Sequence, residues 1–162
     1  MGKLRRYVLL CLCVVAMILL SPLHARADSS SDYSYSNNSD GTVDIIGYYG
    51  TDTKVKIPPY LFGKKVVGIS SSAFMDNTSI TQVAIPAGVT YIGDAAFCGC
   101  TNLVEVAIPD SVQTIGNEAF CDCSRLGRID LPYGLKTLAE EVLSGCSKLT
   151  SIEIPETVTT IG

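Results

Sequence analysis

The sequence predicts an α/β solenoid: a stack of short coils, each giving one brief parallel strand and one turn of helix to a continuous core. Two observations carry that expectation. Phe74, Phe97 and Phe120 stand 23 residues apart, and Pro86, Pro109, Pro132 and Pro155 keep the same interval. A fixed period of this length marks units that contact only their neighbours and share one hydrophobic column. Within a period the apolar spacing also changes, from alternation at Val106-Ala107-Ile108 to tighter spacing at Val112, Ile115, Ala119 and Phe120. The first pattern is that of a strand and the second that of turns.

The chain opens with the layout of a secretory signal over residues 1–27. Lys3, Arg5 and Arg6 make a basic start, Tyr7 to Leu20 an apolar run short for a membrane span, and Ala25-Arg26-Ala27 a cleavage site. Cleavage is expected before Asp28, which makes the mature chain secreted or cell-surface and free of a membrane span; an uncleaved anchor is the alternative. Removing the signal takes away four of the 12 basic residues and none of the 16 acidic ones, which leaves a net charge of −8. A chain this acidic repels polyphosphates, so no nucleic-acid partner is expected. The single histidine, His24, leaves as well. No imidazole then remains to bind zinc or relay protons near neutral pH.

Residues 28–41 (DSSSDYSYSNNSDG) are nearly all small and polar and are expected to form a disordered linker. Thr42 to Tyr49 and Lys54 to Ile57 are β-prone runs flanking Gly50-Thr51-Asp52, which predicts a β-hairpin cap over residues 42–65. Repeats fill residues 66–162: a half unit from Val66 to Asp76, full units from Asn77, Cys100 and Cys123, and a partial unit from Cys146. In each coil the proline ends the strand because it cannot donate to a ladder. Gly116 is expected to permit a tight bend, and Ala119-Phe120 to sit on a short helical turn facing the strand. A lone unit cannot bury enough surface to fold, so stability needs several in a row.

The segments CTNLVEVAIPDSVQTIGNEAF and CSKLTSIEIPETVTTIG resemble the BspA-type, or Treponema pallidum type, leucine-rich repeat, read as C-x-x-L-x-x-I-x-I-P-x-x-V-x-x-I-G-x-x-A-F. The resemblance covers Val66 to Gly162, with Ser70 and Ala139 in place of the bend glycine and Leu143 in place of the aromatic. It implies a right-handed coil and non-catalytic, adhesin-like binding of a host or neighbouring-cell surface or matrix protein. The rival role is a structural or self-associating spacer of the cell envelope.

Five cysteines remain after cleavage. Cys100, Cys123 and Cys146 hold the repeat's own cysteine position and are expected to be buried thiols packed against the next coil. Cys98 and Cys121 are neighbours on adjacent coils; a disulfide between them and a structural zinc are weaker alternatives. No metal or cofactor is therefore expected. Glu140-Glu141 reads as a solvated outer turn, and no phosphate loop or nucleophile elbow is present, so no enzymatic role is expected. Outward strand positions form two columns, Gln82, Glu105, Arg128 and Ser151 beside Ala84, Ala107, Asp130 and Glu153, and these are the candidate protein-binding residues. Tyr91 and Tyr133 are the candidate exposed anchors. The sequence stops after a fourth expected strand, Ile152 to Ile154, which leaves an edge open to self-association.

Overall fold

The computed structural model describes residues 30–162; the expected signal lies outside them. After a 3-10 turn at Ser30–Asp32, the first strands are β1 (Tyr33–Asn37), β2 (Val43–Tyr48), β3 (Lys54–Lys56), β4 (Tyr60–Leu61) and β5 (Lys64–Ile69). The repeats then give β6 (Gln82–Ala84), β7 (Tyr91–Ile92), β8 (Glu105–Ala107), β9 (Thr114–Ile115), β10 (Arg128–Ile129), β11 (Thr137–Leu138) and β12 (Thr160–Ile161). From β2 onward the main strands alternate between two sheets. One sheet runs β1-β2-β5-β7-β9 with β4 on its β5 strand, and the other runs β3-β6-β8-β10; β11 pairs with β12. The core is one contiguous apolar cluster threaded by a column of rings. Tyr33, Tyr48, Phe74, Phe97 and Phe120 follow one another at centroid separations of 5.1, 5.5, 4.8 and 5.3 Å.

The structure corrects the sequence reading at several elements. The α/β class does not hold, because the described residues contain no α-helix. Where the helical turn was expected, tight turns alternate with bonds to the next coil. The N–H groups of Ala95, Phe97 and Gly99 donate to the carbonyls of Asn117, Ala119 and Cys121 at 2.8, 2.8 and 2.9 Å. Those of Ala96, Cys98 and Cys100 close back onto Gly93, Ala95 and Phe97. Left-handed residues at Ala95 (φ 51°) and Gly99 (φ 73°) produce this alternation. A carbonyl row on the adjacent coil satisfies the backbone, so no helix is needed. The repeats are thus joined by backbone ladders at three places on the coil, where the sequence showed one, although β9 and β11 are not paired and the sheet of β10 ends there.

The linker expectation fails at Tyr33–Asn37, which pairs antiparallel with β2. The run Tyr33-Ser34-Tyr35-Ser36 has strand alternation, and its tyrosines find partners: Tyr33 packs against Tyr48 with the rings tilted at 46°, and the Tyr35 ring centre lies 5.5 Å from that of Phe62. The polar residues that suggested disorder form the hairpin turn. The N–H of Thr42 donates to Asp40 Oδ1 at 3.0 Å, its hydroxyl donates to the same oxygen at 2.6 Å, and Gly41 takes φ 84°. The hairpin expected between residues 42–49 and 54–57 is absent, because β2 and β3 lie in different sheets as two sides of the first coil. A real hairpin occupies residues 60–69, where β4 pairs with β5 across Phe62 and Gly63, both at positive φ. The expected fourth strand over residues 152–154 is not formed.

The bend glycine also has a different reason. A Cβ on Gly93 would meet the Ser71 nitrogen at 2.5 Å, and one on Gly116 the Asp94 nitrogen at 2.6 Å. Close approach of the preceding coil excludes a side chain there, not a left-handed conformation.

Candidate functional site

The outward residues of β3, β6, β8 and β10 form one exposed face, positioned by parallel pairing in register. Lys54 stands beside Gln82, Gln82 beside Glu105, and Glu105 beside Arg128; the second column sets Lys56 beside Ala84 and Ala84 beside Ala107. Inward residues Val55, Val83, Val106 and Ile129 are buried, and this strand alternation turns their neighbours to solvent. Asp130 follows the end of β10, and Ser151 and Glu153 are exposed beyond the last strand of this sheet. The expected columns are therefore brought together from Gln82 to Asp130, while the final pair shares no ladder bond with them.

Sequence reading missed Lys54 and Lys56. Lys54 precedes its partner Gln82 by 28 residues, not by 23, because β4 and its turn are inserted between them. With the lysines in place, charge along the face is ordered. The first coil presents two amines. Gln82 Nε2 then donates to Glu105 Oε2 at 3.1 Å, and Arg128 is held by Asp130 through Nε (3.1 Å) and a terminal nitrogen (3.0 Å). Glu153 follows. The Asp130 carboxylate, through its hydrogen bond and its charge, raises the pKa of the Arg128 guanidinium, whose Nε edge is turned onto Asp130.

Shallow depressions follow one another along this face. One of 310 Å³ lies among Lys54, Lys56, Gln82 and Ala84, one of 340 Å³ between Glu105 and Asp130, and one of 340 Å³ beneath Tyr133 and Glu153. Tyr133 is 72% exposed at the rim of the last. Tyr91 is not an exposed anchor. Its ring lies over Gly68, where a Cβ would come within 2.2 Å of it. Burial, followed by the hydrogen bond and charge of Asp44, pushes its phenol up to about 12.

The thiols divide into two sets. Cys100, Cys123 and Cys146 are buried, and their Sγ atoms donate to the carbonyls of Phe74, Phe97 and Phe120 at 3.1, 3.2 and 3.2 Å. Burial pushes Cys100 up to about 12. Cys98 and Cys121 are half-buried on the turn ladder. Cys121 is also raised to about 12, by burial first and then by Cys98, Asp122 and Glu118.

Coils stacked in register on one ring column, with a flat outward face, define a solenoid repeat protein. The chain belongs to the BspA-type leucine-rich repeat family, whose profile matches it in 6 copies over residues 67–162. The crystal structure of the T. pallidum Leucine Rich Repeat protein is similar to it, with a TM-score of 0.81 at 30% identity over 85% of this chain and 64% of that one. A leucine rich cell surface protein from Faecalibacterium prausnitzii A2-165 is also similar, with a TM-score of 0.64 at 29% identity over 80% of this chain and 43% of that one. This chain thus spans only part of the length of either relative. No curated protein matches it. No helix of the described residues is long and apolar enough to cross a membrane.

Proposed function

We propose that this chain is a non-catalytic, protein-binding module of a secreted or cell-surface protein, and that it takes its ligand along the face from Lys54 to Tyr133. The observation that supports this most is the row of depressions along one exposed, charge-ordered face. A bound protein would set acidic groups against Lys54 and Lys56 and basic groups toward Asp130 and Glu153. Arg128, closed onto Asp130, acts mainly by balancing that carboxylate. The kinship with a relative named as a cell surface protein supports the location.

The test is a panel of purified extracellular-matrix proteins presented to the chain by surface interferometry, at low and high salt. At least one is expected to bind, with weaker binding at high salt and after Lys54→Glu with Lys56→Glu. Arg128→Glu should change it in the opposite sense, since it frees Asp130 and adds a carboxylate where the ligand's basic groups are set. Binding untouched by all three substitutions would move the site off this face, and no binding at all would favour the spacer role.

A further inference from the structure

Two of the described cysteines stand outside the buried thiol ladder. Cys98 and Cys121 take the same place in successive coils, and the coils on either side carry Met75 and Ser144 there. The repeat itself does not require a thiol at that place. Glu118 lies on the same turn as Cys121, and its carboxylate and both Sγ atoms lie within 4.8 Å of one another. Its counterpart one coil earlier is Ala95, which offers no donor. Among the described residues, only this pair of coils gathers three such donors.

We propose that Cys98, Glu118 and Cys121 form a binding site for a soft divalent cation of the zinc or cadmium kind, clamped between two adjacent coils. Two sulfurs and one carboxylate oxygen are a donor set that zinc accepts, with water in a fourth position. Sulfur donors at the same time select against magnesium and calcium, which prefer oxygen. Donors around a tetrahedral ion stand about 3.5–3.8 Å apart, given metal–ligand bonds of about 2.0–2.3 Å. The observed spacing of up to 4.8 Å reaches that by rotation of side chains that are not fully packed. Both thiols bind as thiolates, so their two protons pass to solvent. The ion would add a cross-link on the turn between two coils whose backbones are already bonded there, from Phe97 to Ala119 and from Gly99 to Cys121.

The experiment is a titration of Cd²⁺ into the purified chain, kept reduced with a phosphine, following the ultraviolet thiolate-to-cadmium band and the melting temperature. Zn²⁺ is then added as competitor. Expected are one cadmium per chain, displacement by zinc, and a higher melting temperature with either ion. Cys98→Ser or Cys121→Ser should weaken binding by about a hundredfold or more, and Glu118→Gln by roughly tenfold. Glu141→Gln, at the same place one coil on, should change nothing. Serine already stands in this column at Ser144, and circular dichroism checks that each variant keeps its fold. Absence of the band, or a band retained when both cysteines are replaced, would overturn the proposal. So would a chain isolated without reductant in which Cys98 and Cys121 are joined as a disulfide.

Discussion

Phe97 sits between two rings of its own kind, 4.8 Å from Phe74 and 5.3 Å from Phe120, and is fully buried. Backbone ladders fix the spacing of the coils on either side, so they cannot close a void left between them. Phe97→Ala is therefore expected to cost about 3–5 kcal/mol, and the exposed Glu141→Ala under about 0.5 kcal/mol. Denaturant unfolding compares the two, and equal losses would contradict the ring column. Glu141 also carries a left-handed backbone (φ 53°), which costs an L residue roughly 1 kcal/mol. Glu141→Gly should accordingly unfold at higher denaturant than Glu141→Ala. The thiols give a second test at this scale. Alkylation of the native, reduced chain should label Cys98 and Cys121, while Cys100, Cys123 and Cys146 react only after unfolding. The ladder cysteines were legible from their place in the period. The third donor at Glu118 was not, because its approach to Cys98 depends on a turn that the sequence read as helical.

At the scale of the element, the bend and the turn ladder decide how tightly coils stack. Gly93→Ala would press a methyl group against the backbone of Ser70 and Ser71, and is expected to destabilise by about 1–3 kcal/mol in thermal unfolding. An unchanged melt would mean that the coils can separate at little cost. Tyr91 bridges elements, with its ring on β5 and its hydroxyl toward Asp44 of β2. Its folded value, about 12, lies above the ordinary 10, so the stabilisation is complete below pH 10 and is lost as pH rises through 12. A stability profile over that range should fall less steeply for Tyr91→Phe than for the native chain. The sequence placed Tyr91 at a repeat edge, yet Asp44 lies 47 residues upstream and outside the periodic region. Composition likewise concealed β1: two serines and an asparagine accompany its two tyrosines inside a polar segment, and pairing with the open edge of β2 gives those tyrosines something to cover.

Across the whole molecule, the last coil matters most. Ile154 and Ile161 are 41% and 62% exposed, and β12 is an edge strand. Further coils or a second copy would cover them. The chain purified as given is expected to associate at micromolar concentration, which light scattering measures; a stable monomer with a cooperative melt would show that this edge is tolerated.

The sequence by itself determined the period, the stacked-coil architecture, the family, the buried phenylalanine and thiol columns, and the outward residues from Gln82 to Asp130. These all repeat every 23 residues, so each copy reinforces the pattern of the others. Only the tertiary structure decided the second sheet, the turn ladder, the start of the solenoid at β2, and the place of Lys54 and Lys56 on the outward face. Two-residue strands leave too few positions to show alternation, and the backbone bonds of the turn ladder join residues a whole coil apart. Pairing of that kind is settled by which coil lies alongside, a property that local sequence does not encode.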